Sequence, residues 1–146
     1  MQQRHGYPGA IQEGGPIKAL LIEDDPLQRA LVSRLLGWAG FEVKEAADGG
    51  VAIDFLVVAR ESFDLILLDI MLPIADGVEV ARQALQVDPD LPIVACSAVL
   101  YGDNEHILRR LGVRGFLPKP FTADALREAI RVHARRLPQH FSRSVG

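Results

Sequence analysis

Three short, almost wholly apolar runs constrain the fold more than any other feature of this chain. They are ALLI at 19–22, LILL at 65–68 and IVAC at 93–96. Runs of this length without polar alternation are typical of parallel strands that helices cover on both faces. The sequence therefore predicts a buried parallel sheet.

Helical patterns separate these runs from two further candidate strands, which predicts repeated βα units. We expect strands near 18–23, 42–46, 64–69, 92–97 and 115–118. The second strand, EVKEA, alternates with charge and the fifth contains Pro118, so both suit the edges of a sheet. These edges give the order 2-1-3-4-5, a doubly wound five-stranded α/β fold of the flavodoxin-like type, and right-handed crossovers place the ends of strands one and three side by side.

The length of 146 residues, 49% of them hydrophobic, suits one domain with a single core. Residues 1–16 are rich in glycine and proline, and we expect them to form a flexible leader. We expect the domain at 17–136 and a short tail at 137–146. Cys96 is the only cysteine, which excludes a disulfide within the chain, and we expect it to be buried.

The charge balance bears on partners and location. A net charge of −3 and a pI near 5.8 predict no general attraction to nucleic acid or to anionic membranes. No segment approaches the ~20 apolar residues of a membrane span, and the first residues lack a secretory apolar core. We therefore expect a cytoplasmic protein whose partners are proteins.

Helix signals lie between the strands. Asp25 is expected to cap the first helix with Pro26 at its first position, and Thr122 is expected to cap the last helix. The fourth helix is expected near 104–111. In the first helix, the residues predicted to face the core are Leu27, Ala30, Leu31 and Leu35, and Trp38 is also placed in the core.

Acidic residues stand where two of the buried runs end. Glu23 and Asp24 follow the run at 19–22, and Asp69 follows the run at 65–68. The carboxyl ends of parallel strands meet at one edge of the sheet, where ligands of open α/β folds bind. Because Mg²⁺ prefers hard oxygen ligands, these three side chains predict a magnesium site, with Glu23 acting directly or through water.

Ser97 and Lys119 are expected at the same edge, after the fourth and fifth strands. An aspartate can attack a phosphoryl group and form an acyl phosphate while a metal screens the repulsion, and Asp69 is the best candidate for this role. The Lys119 ammonium and the Ser97 hydroxyl would share the charge of the transferred group with Mg²⁺. Without metal, mutual repulsion should raise the pKa values of the carboxylates.

Four motifs at the predicted strand ends resemble those of the receiver domains of two-component response regulators. They are LIEDDP at 21–26, LLDIMLP at 67–73 followed by Gly77, CSA at 96–98 and GFLPKPF at 115–121. The resemblance covers about residues 17–136. It implies a fold like that of the chemotaxis regulators, with Asp69 as the phosphoacceptor and with Glu23 and Asp24 as the acidic metal pair.

The resemblance also implies roles for further residues. Met71 would give its backbone carbonyl to magnesium, and Ser97 would be the switch hydroxyl. Lys119 matches the lysine of the family's site, with a cis bond to Pro120. Phe116 falls at the family's rotating aromatic position, where many relatives have tyrosine. Because Phe116 has no hydroxyl, a switch there must be driven by packing.

The function implied is that of a single-domain response regulator, a phosphoacceptor signalling protein and not a conventional enzyme. It would take its phosphoryl group from a histidine kinase or a histidine phosphotransfer protein that docks on the first helix. The added charge would change the surface formed by helix 4, strand 5 and helix 5, which binds a downstream protein target. The resemblance leaves open whether a homodimer is the signalling state.

Other interpretations stay open. Taken singly, Asp24 could be a helix cap, Asp69 a solvated turn acid and Lys119 a surface cation. The chain could be a receiver fragment of a larger regulator or of a hybrid kinase, or a scaffold that keeps the fold without phosphorylation. An aspartate-nucleophile phosphohydrolase would need a second aspartate two residues after the nucleophile, where this sequence has Met71.

Overall fold

The computed structural model describes residues 15–72, 76–98 and 103–141. Most of the predicted leader, part of the predicted tail and Pro73 of the second motif lie outside these ranges. The sheet of the described residues has five parallel strands, which are β1 (Lys18–Ile22), β2 (Glu42–Ala46), β3 (Leu65–Asp69), β4 (Ile93–Ser97) and β5 (Gly115–Pro118). Their order is β2-β1-β3-β4-β5, which confirms the predicted topology.

A helix follows each of the five strands, as the βα pattern predicts. The helices are α1 (Pro26–Ala39), α2 (Gly49–Ile53), α3 (Gly77–Val87), α4 (Asp103–Leu111) and α5 (Ala123–His133). One π-helical turn (Asp54–Val58) continues α2. Both predicted caps are present, since the side chains of Asp25 and Thr122 accept hydrogen bonds from the first turns of α1 and α5.

The core lies in two layers, one on each face of the sheet. Leu20 and Ile22 of β1 point to the layer formed with α2, α3 and α4, whereas Ala19 and Leu21 point to the layer formed with α1 and α5. This alternation within one strand is why the central runs carry apolar residues at every position. The fold therefore buries β1, β3 and β4 on both faces.

The predicted inner face of α1 is wrong for Leu27, Ala30 and Leu31, whereas Leu35 packs against the core. Leu27 is 81% exposed and Leu31 is 60% exposed, whereas Val32 and Leu36 are buried against the sheet. The prediction that Trp38 lies in the core is also wrong, since its side chain is 75% exposed. The helix carries two apolar stripes one residue apart, and only the docking of α1 on the sheet selects the stripe at 32 and 36.

The segment after α5 returns to the domain. Pro138 and Phe141 are buried, and Phe141 packs with Leu36, Phe41 and Ile130 in the layer that holds α1 and α5. The residues that follow α5, up to Phe141, thus form part of that core layer. None of the helices in the described ranges combines the length and apolar character that crossing a lipid bilayer requires.

Candidate functional site

Three carboxylates meet at the carboxyl edge of the sheet, as the sequence predicts. Glu23 and Asp24 directly follow β1, Asp69 ends β3, and β1 and β3 are neighbours. One oxygen from each of the three side chains can be chosen so that all lie within 4.8 Å of one another. Glu23 is 3% exposed and Asp69 is 7% exposed, while Asp24 faces solvent.

Lys119 reaches into this group from the loop after β5. Its Nζ donates to Glu23 Oε1 at 2.6 Å and to Asp69 Oδ2 at 3.2 Å. Its backbone N–H donates to the carbonyl oxygen of Ser97 at 3.0 Å, and its peptide bond to Pro120 is cis. The ammonium therefore bridges carboxylates from two different strands.

Backbone donors orient the buried carboxylates. The Met71 N–H donates to Asp69 Oδ1 at 3.1 Å, and the Asp25 N–H donates to Glu23 Oε2 at 3.1 Å. Both oxygens of Glu23 are thus engaged by protein donors, whereas Asp24 faces the open side of the cluster. Asp24 is therefore the carboxylate of the three that faces solvent.

The pKa values reflect burial and crowding of charge. Burial raises the pKa of Glu23 above its usual value, and the charge of Asp69 adds to this rise, while hydrogen bonds from Lys119 and from the Asp25 backbone oppose it. Burial acts to lower the pKa of Lys119. The hydrogen bond to Glu23 and the charges of Asp69 and Glu23 outweigh that effect, so the pKa of Lys119 is raised.

The residues present suit a hard divalent cation. Three carboxylates and one ammonium leave a formal charge of −2 in a partly buried cluster. Among the described residues, the donor atoms of this cluster are all carboxylate oxygens, which is the ligand chemistry of Mg²⁺. Burial raises the pKa of the nearby Cys96 thiol to about 12, so its sulfur is protonated at neutral pH.

Glycine at position 77 allows the backbone of the site to pack closely. A Cβ at Gly77 would lie 2.5 Å from Cα of Ile70 and 2.7 Å from the carbonyl oxygen of Asp69. The Gly77 N–H donates to the Ile70 carbonyl at 2.8 Å. The start of α3 therefore rests directly on the backbone that carries Asp69.

Ser97 ends β4, and Phe116 lies on the neighbouring strand β5. Ser97 is 1% exposed and pairs with Pro118 of β5. Phe116 is half-buried, and the Arg109 guanidinium of α4 lies 4.3 Å from the centre of its ring. The strand ends thus bring Ser97 and Lys119 together, while Phe116 faces α4.

Sequence reasoning missed Arg29. Its side chain donates to the carbonyl oxygens of Glu23 and Asp24, in the segment that carries two of the carboxylates. The position of Arg29 in the sequence was an indication, because a cation near the amino end of a helix interacts unfavourably with the helix dipole. Such a residue is expected to have a compensating partner elsewhere. The sequence alone did not identify that partner.

The fold and the edge cluster define a class of protein, the doubly wound α/β domain with an acidic site at the carboxyl ends of its strands. The sequence pattern of the response regulator receiver domain matches residues 19–131. Since this match covers more than half of the chain, the protein belongs to the response regulator receiver domain family.

Individual relatives agree with this assignment. The response regulator MprA of Mycolicibacterium vanbaalenii is 33% identical over 126 residues, which cover 83% of this chain and 52% of MprA. The chain thus spans about half the length of that relative. Family membership fixes the broad function, a receiver domain of two-component signalling and not a conventional enzyme.

Solved receiver structures share the fold. A CheY-like receiver protein from Methanospirillum hungatei JF-1 has a TM-score of 0.76 and 24% identity, over 81% of this chain and 93% of its own. The receiver domain of sensor histidine kinase PA1611 from Pseudomonas aeruginosa PAO1 has a TM-score of 0.71 and 28% identity, over 80% and 97%. That structure has a magnesium ion coordinated in its active site cleft.

Proposed function

We propose that this chain accepts a phosphoryl group on Asp69 in a magnesium-dependent reaction. The observation that carries the proposal is the set of three carboxylate oxygens within 4.8 Å, two of whose side chains share the ammonium of Lys119. Glu23, Asp24 and Asp69, with the backbone carbonyl of Met71, would hold the ion. The magnesium in the PA1611 receiver supports the same ligand here.

The donor would be a phosphohistidine of a histidine kinase or a histidine phosphotransfer protein. An oxygen of Asp69 forms a bond to phosphorus while the P–N bond of the donor breaks, and the departing histidine nitrogen keeps the electron pair and takes up a proton. The Met71 N–H and the Lys119 ammonium hold the two oxygens of Asp69 in position. Bound magnesium would offset the negative charge on the phosphoryl oxygens.

Ser97 and Lys119 would carry the signal away from Asp69. The phosphoryl group carries about −2 of charge and replaces the single negative charge of the Asp69 carboxylate, so it attracts the ammonium of Lys119 and the hydroxyl of Ser97 more strongly. The backbone hydrogen bond between these two residues couples the end of β4 to the loop after β5. Movement there would shift Phe116 against Arg109, and this change of packing would remodel the surface of α4, β5 and α5 for a downstream protein target.

The exposed side of α1 supports a docking role toward the phosphodonor. Leu27 and Leu31 lie on the helix that begins beside Asp24, and both are more than half exposed. Exposed leucines next to a reactive centre suit an apolar protein contact. Because such donors are phosphorylated by kinases that use ATP, we place the protein in the cytoplasm.

The receiver unit is proposed to comprise residues 17–136, and Phe141 beyond it packs into the layer that holds α1 and α5. A stand-alone receiver is our first hypothesis. A second is a receiver within a larger regulator or a hybrid kinase, which the 52% coverage of MprA and the match to the PA1611 receiver favour. The phosphohydrolase alternative has no support from position 71, where Met71 replaces the required aspartate.

Labelling with acetyl phosphate tests the proposal. Incubation with magnesium should add one phosphoryl group to the intact protein, as measured by mass spectrometry. Asp69→Asn or removal of magnesium with EDTA should abolish this addition, whereas Asp54→Asn, on the exposed π-helical turn, should not. Continued labelling of the Asp69→Asn variant would show that Asp69 is not the acceptor.

A further inference from the structure

Arg29 of α1 reaches back to the end of β1. Its Nη1 donates to the carbonyl oxygen of Glu23 at 2.9 Å and to that of Asp24 at 3.3 Å. A single guanidinium nitrogen therefore joins two successive peptide groups. These peptide groups belong to the residues that supply two of the three clustered carboxylates.

The far side of the Arg29 guanidinium is held by β2. Its Nε lies 3.3 Å from Glu45 Oε1, and the arginine side chain is 21% exposed. Glu45 is next to Ala46, whose carbonyl oxygen accepts a hydrogen bond from the Glu23 N–H at 3.0 Å. The end of β2 therefore holds the Glu23 segment in two ways. The Ala46 carbonyl accepts a backbone hydrogen bond from Glu23, and the Glu45 carboxylate pairs with Arg29.

We propose that Arg29 is a positioning residue that holds the Glu23–Asp24 backbone in the conformation that binds magnesium. The inference rests on the proposed function, because it concerns the same ion. Asp24 faces solvent, and its carboxylate must become ordered when an ion binds. Fixing the peptide groups beforehand lowers the entropic cost of that ordering.

The arginine fork is essential to this role. Arginine presents several N–H groups in a fixed plane, so it can contact two carbonyls and Glu45 at the same time. Lysine carries the same charge but offers one nitrogen, which cannot span all three acceptors. Arg29→Lys should therefore retain only part of the effect, while Arg29→Ala should lose it.

Magnesium titration tests the role. Calorimetry should show that Arg29→Ala binds Mg²⁺ about tenfold more weakly than the wild-type protein, with Arg29→Lys intermediate. Arg34→Ala, at an exposed position on the same helix, should bind like the wild type. Glu45→Gln, which keeps the arginine and its carbonyl contacts, should weaken binding less than Arg29→Ala does.

A second measurement separates positioning from a general loss of structure. With acetyl phosphate as donor, Arg29→Ala should need about tenfold more magnesium for half-maximal labelling, yet approach the wild-type rate at saturation. Binding by Arg29→Ala within about twofold of wild type would overturn the role of Arg29 and leave the proposed function intact. If the wild-type protein itself binds no magnesium, the proposed function fails instead. Should Arg29→Ala not fold, equal affinity of Arg29→Lys and wild type would overturn the inference.

Discussion

The carboxylate of Asp64 and the guanidinium of Arg136 form an ion pair, with Oδ1 and Nε 2.8 Å apart. Asp64 precedes β3 and its side chain is 6% exposed, while Arg136 lies just beyond α5. The Lys18 N–H also donates to Asp64, at 2.9 Å, and Arg136 donates to the carbonyl of Pro16 at 2.9 Å. One buried carboxylate thus ties the first strand, the third strand and the segment after α5 together.

Asp64→Ala should destabilise the protein by about 2–4 kcal/mol, because it leaves an arginine and a backbone N–H without their buried acceptor. Urea unfolding followed by circular dichroism measures the change. Asp90→Ala is the matched control, since that carboxylate is 80% exposed and lies 4.0 Å from Arg114. Equal stability of the two variants would contradict the importance assigned to the Asp64–Arg136 pair.

Alanine at two glycine positions should act in opposite directions. Gly77→Ala forces a Cβ against the backbone of Asp69 and Ile70, and we expect a loss of about 1–3 kcal/mol together with slower phosphorylation. At Gly37, within α1, a Cβ would meet no atom within 4 Å. Gly37→Ala should therefore stabilise the protein by about 0.5–1 kcal/mol. Thermal unfolding compares them, and a stabilising Gly77→Ala would refute the close approach of α3 to Asp69.

Much of this architecture follows from local pattern. The apolar runs locate β1, β3 and β4, and the charge in EVKEA together with Pro118 places β2 and β5 at the edges. Once that order is known, Glu23, Asp24 and Asp69 must meet, because the ends of neighbouring parallel strands lie side by side. Short segments of the sequence are thus sufficient to predict which strands are buried and in what order they lie.

The parts that were missed depend on docking between distant segments. Trp38 was predicted to be buried and is exposed, because the rotation of α1 is set by its fit to the sheet and not by its own apolar residues. Asp64 and Arg136 are 72 residues apart, and no spacing rule pairs them. Arg29 likewise contacts backbone carbonyls, whose positions appear only in the folded chain.

Cys96 should be unreactive in the native protein. It is 4% exposed, and burial raises the pKa of its thiol to about 12, so almost no thiolate forms at neutral pH. Iodoacetamide should modify native protein far more slowly than protein unfolded in urea, as followed by mass spectrometry. Similar rates in the two states would mean that the centre of the sheet opens readily.

Stability should decline in mildly acidic solution through His133. Burial lowers the pKa of His133, which packs against Gly115, below its usual value of 6.5. Protons then bind His133 more readily in the unfolded chain than in the folded protein. The stability that neutral His133 contributes is therefore complete above its ordinary pKa, and it is lost as the pH falls toward the lower pKa of the folded protein. The urea midpoint should drop between about pH 7.5 and about pH 5.5, and His133→Gln should reduce this drop.

The exposed His106 of α4 provides the control for that experiment. His106→Gln should keep the pH dependence of the wild-type protein, because its imidazole is not buried. If His133→Gln and the wild type lose the same stability over this range, burial of His133 is not the cause of the decline.

Removal of Lys119 should make the protein more dependent on magnesium. The Lys119 ammonium contacts both Glu23 and Asp69, and Lys119→Ala leaves these two carboxylates without their shared counter-charge. The variant should be less stable than the wild type without metal and should bind Mg²⁺ at least as tightly, because a competing cation is gone. At about 100 times its dissociation constant, magnesium should restore about 2.7 kcal/mol. Lys44→Ala, on the exposed edge strand β2, should bind Mg²⁺ with the affinity of the wild type. Weaker magnesium binding by Lys119→Ala than by the wild type would mean that the ammonium organises the carboxylates more than it competes with the ion.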